Sequence, residues 1–274
     1  MSGLSTVELR ELSEVAAEVA REAAALVLTG WRSRPDVRLK HPKDLVTEWD
    51  LRSEALIVER LGARAPFPVL GEEGGLMGSM ADGPADSTAD RSGPTWVCDP
   101  IDGTTNFAHG HPIWCVSIGL MQGGAPLVGA VAAPTLATDW RGYVGGPALR
   151  SGEPVRVSAT QELGQALIAT GFPPDRERAP DNNFASFERV KRRARAVRRC
   201  GSAALDLCFV ADGTYDGYWE RRVCVWDLAA AAAVHLGAGG ELTALSGGPV
   251  KLEQGHVLAT NGRIHAELLS VLSA

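Results

Sequence analysis

Near the N-terminus, apolar residues recur at steps of three and four: Leu12, Val15, Val19, Ala23 and Leu26 share one stripe, and Glu11, Glu14, Glu18 and Glu22 fill the other side. That period predicts an amphipathic helix. Ser5-Thr6-Val7-Glu8 reads as a capping box at its start, and Gly30 stops it. A second helix is predicted after Thr47, where Thr47 and Asp50 have the spacing of an N-cap pair, and its pattern runs to Gly62. A short strand from Phe67 to Leu70 then meets the glycine-rich turn Gly71-Glu72-Glu73-Gly74-Gly75. Trp96-Val97-Cys98 is another apolar, strand-like run. Ile113 to Met121 and Pro126 to Ala133 read as strands around a Gln122-Gly123-Gly124 turn, with Thr138 to Val144 continuing a meander. Glycine and proline crowd Gly145 to Pro154, which marks a candidate domain boundary. Beyond it, strands (166–170, 196–199, 217–220, 241–244, 256–259) alternate with helices (181–194, 202–211, 227–236, 262–272). Such alternation predicts a layered α/β fold, with a mixed or parallel sheet covered by helices.

Composition narrows the class. At 274 residues, 45% hydrophobic and 22% charged, the chain has the balance of an ordinary globular protein. A net charge of −6 argues against general nucleic-acid binding and fits acidic groups partly neutralised by bound metal. Cys98, Cys115, Cys200, Cys208 and Cys224 are odd in number, form no CxxC pair and sit mostly in apolar runs. Reduced, buried thiols and a cytoplasmic location are the expectation. The polar, acidic N-terminus predicts no signal peptide, and no apolar run approaches the roughly 20 residues that span a bilayer.

The chemistry concentrates in Asp99-Pro100-Ile101-Asp102-Gly103-Thr104-Thr105. Hard cations such as Mg²⁺ take oxygen ligands. Two aspartates leaving the end of a strand can hold two ions, one carboxylate bridging them, and backbone N–H groups after Gly103 can face a phosphate if a helix starts there. Asp-Pro and Asp-Gly are also common turn dipeptides, so other acidic residues must decide. Glu72 and Glu73 follow a strand, Asp227 follows Cys224-Val225-Trp226 at the start of an alanine-rich helix, and Asp50 lies in the first turn of a helix. Asp227 and Asp50 each have a plain alternative as helix caps. Their shared position at strand ends and helix starts is where sites of layered α/β folds gather.

The ordered set Asp44-Leu45-Val46-Thr47-Glu48-Trp49-Asp50, Gly71-Glu72-Glu73, Trp96 to Phe107, Gly201-Ser202-Ala203-Ala204 and Trp226-Asp227-Leu228-Ala229-Ala230 closely resembles the inositol monophosphatase family of Mg²⁺-dependent, lithium-sensitive phosphatases. The resemblance covers nearly the whole chain. It implies an αβαβα sandwich of the sugar-phosphatase type with two subdomains: 1–148, carrying most metal ligands, and 149–274, carrying Asp227 and the substrate-lining segment. It implies two or three Mg²⁺ ions. Glu72, Asp99 and the Ile101 carbonyl would hold the first, and Asp99, Asp102 and Asp227 the second. A looser third would lie near Glu72. The implied catalytic residues are Thr104, which orients the attacking water, its carboxylate partner Asp50, and Glu72. Backbone N–H groups of Gly103 and Thr104 would contact the phosphate, Gly201, Ser202 and Ala203 the hydroxylated substrate, and Glu220 a ring hydroxyl. Lys40 matches a site lysine, with Lys43 as a rival. A homodimer is also implied. The sequence departs from the family at Gly145 to Gly152, where a Gly-x-Gly-Ala segment followed by Asn-Gly is usual.

The resulting expectation is Mg²⁺-dependent hydrolysis of a small phosphate monoester, led by inositol 1-phosphate. Histidinol phosphate, fructose 1,6-bisphosphate and a 3′-phosphonucleotide are the rivals. Thr105 and Glu220 favour a polyol: the histidinol-phosphate and nucleotide branches often resemble Asp-Gly-Thr-Lys at this point. A second class of reading, an RNA-associated regulatory protein, rests on the seven basic residues between Arg189 and Arg199. Base-stacking aromatics are missing from that run. His109 and His111 have HxH spacing, but an oxygen site does not need imidazole. Trp96 and Trp226 are expected to wedge the ligand segments in place. The polar 78–93 segment reads as a surface loop bordering the site.

Overall fold

The computed structural model describes residues 4–41, 44–77 and 93–273. Lys43 and all of the 78–93 loop except Gly93 lie outside the described residues. Helix α1 (Thr6–Leu28) opens with the expected capping box, in which Ser5 and Glu8 bond reciprocally. A ribbon of β1 (Val37–His41) and β2 (Asp44–Thr47) follows, and then α2 (Glu48–Arg64). Next come β3 (Val69–Gly71), β4 (Gly75–Met77), β5 (Thr95–Asp102), the short helix α3 (Thr104–Ala108), β6 (Cys115–Gln122), β7 (Ala125–Ala133), β8 (Thr138–Tyr143), β9 (Ala148–Arg150) and β10 (Glu153–Val155). These strands make one sheet of eight, ordered β10-β9-β8-β7-β6-β5-β3-β4. The remaining elements are β11 (Leu167–Thr170), α4 (Phe184–Arg193), β12 (Ala196–Arg198), α5 (Ala203–Ala211), β13 (Gly217–Glu220), α6 (Val225–Gly237), β14 (Glu241–Ala244), β15 (Val257–Thr260) and α7 (His265–Ser273). They build a mixed five-stranded sheet, ordered β12-β11-β13-β15-β14, with β12, β11 and β13 parallel and β15 antiparallel to β13 and β14.

Strand alternation sorts the core into layers. Trp96, Cys98, Ile118, Leu120, Val128, Ala130 and Ala132 pack with α1 and α2 on one face of the large sheet. Val97, Val131 and Ala133, one position out of phase, pack with α5 and α6 on the other. Tyr218, Val257 and Ala259 close the same central layer from the small sheet, while Ile168, Trp219 and Leu258 face α4 and α7. The fold is therefore a layered α/β sandwich, as the resemblance implies.

The alanine-rich helix α6 has a specific packing reason. A Cβ on Gly129 would lie 1.8 Å from the Ala230 carbonyl oxygen, one on Gly119 2.7 Å from the Ala230 nitrogen, and one on Gly142 2.9 Å from the Val234 Cα. Small residues on both partners let α6 lie directly on β6, β7 and β8. That approach fixes its first turn, where Asp227 sits.

Several boundaries differ from the sequence pattern. The ribbon β1–β2 and strand β4 lie where the sequence pattern predicts no strand. The Gly145 to Pro154 stretch carries β9 and β10, which extend the large sheet. Asp99 and Asp102 do not follow their strand but lie within it: β5 runs through Asp99 and ends at Asp102, with its register against β6 shifting between them. Helix α4 begins at Phe184, since Asn183 has φ of 72° and the helix starts beyond it. In α1 the buried stripe is Ala16, Val19, Ala20, Ala23, Ala24 and Val27, so Val19 and Ala23 lie where the pattern puts them, whereas Leu12, Val15 and Leu26 are half-buried at its edge.

Candidate active site

Both halves of the chain line one cleft of about 730 Å³, bordered by Glu72, Asp99, Asp102, Thr104, Glu220 and Asp227 among others. The end of β5 makes its floor. The bulge turns successive carboxylates toward the same space, and Asp99 folds back to accept from the Ile101 N–H at 2.9 Å. The Asp227 carboxylate enters from the first turn of α6, accepting from the Cys224 N–H at 3.3 Å. Asp99, Asp102 and Asp227 each place an oxygen within 4.8 Å of the others. Asp102 is clasped from the start of α5: the Ser202 hydroxyl donates to it at 2.6 Å, and the Ala204 and Ala203 N–H groups at 2.7 and 3.3 Å.

The electrostatics of this cluster are strained by design of the fold. Burial, followed by the charges of Glu72 and Asp227, pushes the Asp99 carboxyl well above the carboxylate range. Burial and then Asp102 and Glu72 do the same to Asp227. Asp102 is raised less, to about 6, because burial is opposed by its hydrogen bonds from Ser202, Ala204 and Ala203. Buried like charges at this spacing repel unless a cation is shared between them. The donors are hard carboxylate oxygens with a nearby backbone carbonyl at Ile101, a set that fits Mg²⁺ or a similar hard cation.

Glu72 stands in the β3–β4 turn and faces the cleft outside the tight trio. Lys40 of β1 bonds its carboxylate at 2.8 Å and also pairs with Glu73. Lys40 is thus placed on the glutamates and is not among the residues lining the cleft. The Thr104 hydroxyl lies 3.1 Å from Asp50 Oδ1 and 3.0 Å from the Ile101 carbonyl. Asp50 caps α2 by accepting from the Thr47 N–H at 2.8 Å and the Thr47 hydroxyl at 2.6 Å. Burial raises its carboxyl to about 6 against those bonds. Gly103, between Asp102 and Thr104, has φ of 97°, and a Cβ there would meet the Ile113 carbonyl at 3.0 Å. The chain can turn from β5 into α3 at this point only through glycine.

On the far wall, Tyr218 donates to Glu220 at 2.6 Å, and burial raises Glu220 to about 7. Gly201, Ser202 and Ala203 border the same cleft. Asn106 stitches the two sides together, its amide donating to the carbonyls of Ile113 at 2.6 Å and Cys200 at 2.8 Å. Trp96 is fully buried behind the floor and donates to the Ala65 carbonyl at 3.0 Å. Trp226, expected to be a wedge like Trp96, is half-buried and borders the cleft instead. It lies in the first turn of α6, which begins at Val225. His109 and His111 are exposed and do not line the cleft. Within the basic run, Arg189 caps α7 by donating to the Val271 and Leu272 carbonyls at 2.9 Å each, Arg192 pairs with Glu188, and Arg199 borders the cleft.

Sequence reasoning missed Ser53 and Glu54, which lie on the same face of α2 as Asp50, and Asp206, a buried carboxylate on the cleft wall with no hydrogen bond to its Oδ1. The helical spacing of Ser53 and Glu54 from Asp50 was the available signal.

Comparisons with known proteins show the family. A family model described as the inositol monophosphatase family matches residues 8–274. An inositol-1-monophosphatase of Synechocystis sp. is 40% identical over 272 residues, covering 98% of this chain and 91% of the relative. A protein of Pseudomonas aeruginosa named Nus factor SuhB is 35% identical over 270 residues, covering 96% of each. The solved inositol monophosphatase of Anabaena superposes with a TM-score of 0.85 at 39% identity, covering 97% of this chain and 96% of that one. Fold, cleft and relatives together define a phosphatase, an enzyme of the phosphoric monoester hydrolase class. Within that class, the chain belongs to the inositol monophosphatase family.

Proposed function

We propose that this enzyme hydrolyses the phosphate monoester of a small polyol, inositol 1-phosphate first, with Mg²⁺ held by Glu72, Asp99, Asp102, Asp227 and the Ile101 carbonyl. The observation that carries the reading is the meeting of Asp99, Asp102 and Asp227, from two distant segments, within 4.8 Å. Bound there, Mg²⁺ would supply positive charge against the phosphoryl group and lower the pKa of a coordinated water. The chain's own residues do the positioning. Asp50 accepts the Thr104 hydroxyl proton, which leaves a Thr104 lone pair free to accept from an attacking water and align it. The Gly103 and Thr104 N–H groups donate to a phosphoryl oxygen as its charge spreads in the transition state. Glu220, steadied by Tyr218, accepts from a hydroxyl of the leaving group, and Gly201 to Ala203 shape the wall against which that group lies. Lys40 neutralises Glu72 and Glu73 at the edge of the metal site. We place the enzyme in the cytoplasm as a homodimer.

A panel of esters with and without Mg²⁺ tests this. Inositol 1-phosphate is expected to give the highest kcat/KM, with turnover absent after chelation and restored by Mg²⁺. A kcat/KM for histidinol phosphate about tenfold higher, a preference of ~1.4 kcal/mol, would overturn the substrate assignment. Turnover that is indifferent to chelation would overturn the metal assignment.

A further inference from the structure

We propose that Glu54 is a positioning residue that sets the Glu72 turn, and through it the affinity of the site for Mg²⁺; the inference rests on the metal-dependent reading above. One turn of α2 presents Asp50, Ser53 and Glu54 on a shared face, and each holds a different piece of the site. Asp50 lies at 3.1 Å from the Thr104 hydroxyl, and Ser53 donates to the Pro100 carbonyl at 3.1 Å. Glu54 accepts from two successive amides, its Oε2 from Glu73 N–H at 2.9 Å and its Oε1 from Gly74 N–H at 2.7 Å. The Glu73 amide belongs to the peptide bond that Glu72 itself begins. Clamping it fixes the direction in which the Glu72 side chain leaves the backbone, while Lys40 holds the carboxylate end at 2.8 Å.

The cradle around Glu54 is built for a carboxylate. A Cβ on Gly71 would lie 2.2 Å from Glu54 Oε2, and one on Gly74 2.8 Å from Oε1. Glycine on both sides lets the side chain reach the amides. Glu54 is only 5% exposed. Burying an acidic group beside Glu72 and Glu73 is costly unless its oxygens are bonded. Charge-assisted bonds to backbone N–H groups meet that cost and are stronger than neutral ones. Residues that orient metal ligands in this indirect way commonly carry large effects on metal affinity.

Glu54→Gln is the direct test, because the amide retains one acceptor and turns a donor toward the other N–H. Mg²⁺ binding is measured by calorimetry, alongside the Mg²⁺ dependence of turnover, KM for inositol 1-phosphate at saturating Mg²⁺, and Tm. The Mg²⁺ dissociation constant is expected to rise about 10- to 100-fold, with KM at saturating Mg²⁺ nearly unmoved. Gly74→Ala, which presses on Oε1, is expected to shift Mg²⁺ binding in the same direction and keeps the test open if Glu54→Gln does not fold. Unchanged Mg²⁺ affinity in folded variants, even with a lower Tm, would reduce Glu54 to a structural role and overturn the proposal. Wild-type protein that binds no Mg²⁺ would overturn this inference and the functional reading together; wild-type binding with unaltered variants would overturn this inference alone.

Discussion

Asp99→Asn is expected to lower kcat about a thousandfold or more, a loss of ~4 kcal/mol in transition-state stabilisation. Asp99 lies in β5, places an oxygen within 4.8 Å of oxygens of Asp102 and Asp227, and is proposed to bridge two ions. Asparagine keeps the shape and one acceptor oxygen but removes the charge. The same change has an opposite effect on the fold. Asp99 is 2% exposed and surrounded by acidic neighbours, so without Mg²⁺ the charge is a burden on the folded state. Without metal, the variant should therefore melt at or above the wild-type Tm, and addition of Mg²⁺ should raise its Tm less than it raises that of wild type. Thermal melts with and without Mg²⁺, set beside steady-state kinetics, check both halves. A variant that retains turnover would show that catalysis does not run through this cluster. The RNA-associated alternative separates cleanly, since it predicts salt-sensitive RNA binding that is untouched by Asp99→Asn.

The second large effect is expected far from the chemistry, at Gly129→Ala. The added methyl would fall 1.8 Å from the Ala230 carbonyl oxygen, a backbone atom that no side-chain rotation can move aside. Helix α6 must lift from β7 or the strand must bend. Overpacking of this kind costs about 1–3 kcal/mol and occasionally more. Lifting α6 also displaces its first turn, so Asp227 leaves the trio and activity should fall beyond what the loss of stability explains. Denaturant unfolding, with kcat measured well below the melting temperature, tests the coupling. Full activity in a destabilised variant would mean that the α6 contact supports the fold without placing Asp227.

Those two positions also mark where the sequence was and was not legible. Asp99, Asp102 and Asp227 could be singled out because each stands at a strand end or helix start, where a carboxylate has a chemical use. The alternation of strands and helices gave the layered class, and capping residues at Ser5 and Thr47 gave two helix starts correctly. Gly129 carried no comparable signal. Its need for glycine comes from Ala230, 101 positions away, and appears only when α6 lies on the sheet. Glu54 left only its helical spacing from Asp50 as a signal, and a glutamate there reads equally as a solvated helix position until Gly71 and Gly74 are brought beside it. The β1–β2 ribbon left a weak trace in the alternation of Val37 and Leu39 with Arg38 and Lys40, too short to assign. The basic run was legible as charge, but not the bonds from Arg189 to the end of α7, which depend on tertiary placement.

The central claim is that Glu72, Asp99, Asp102 and Asp227 together cage divalent cations. Anomalous diffraction from crystals soaked in Mn²⁺, an ion suited to the same carboxylate ligands as Mg²⁺, tests it most directly. The account predicts at least two peaks in the cleft, with Asp99 coordinating both, Glu72 on one and Asp102 with Asp227 on the other. Crystals that take up Mn²⁺ elsewhere and leave the space between these carboxylates without a peak would contradict it.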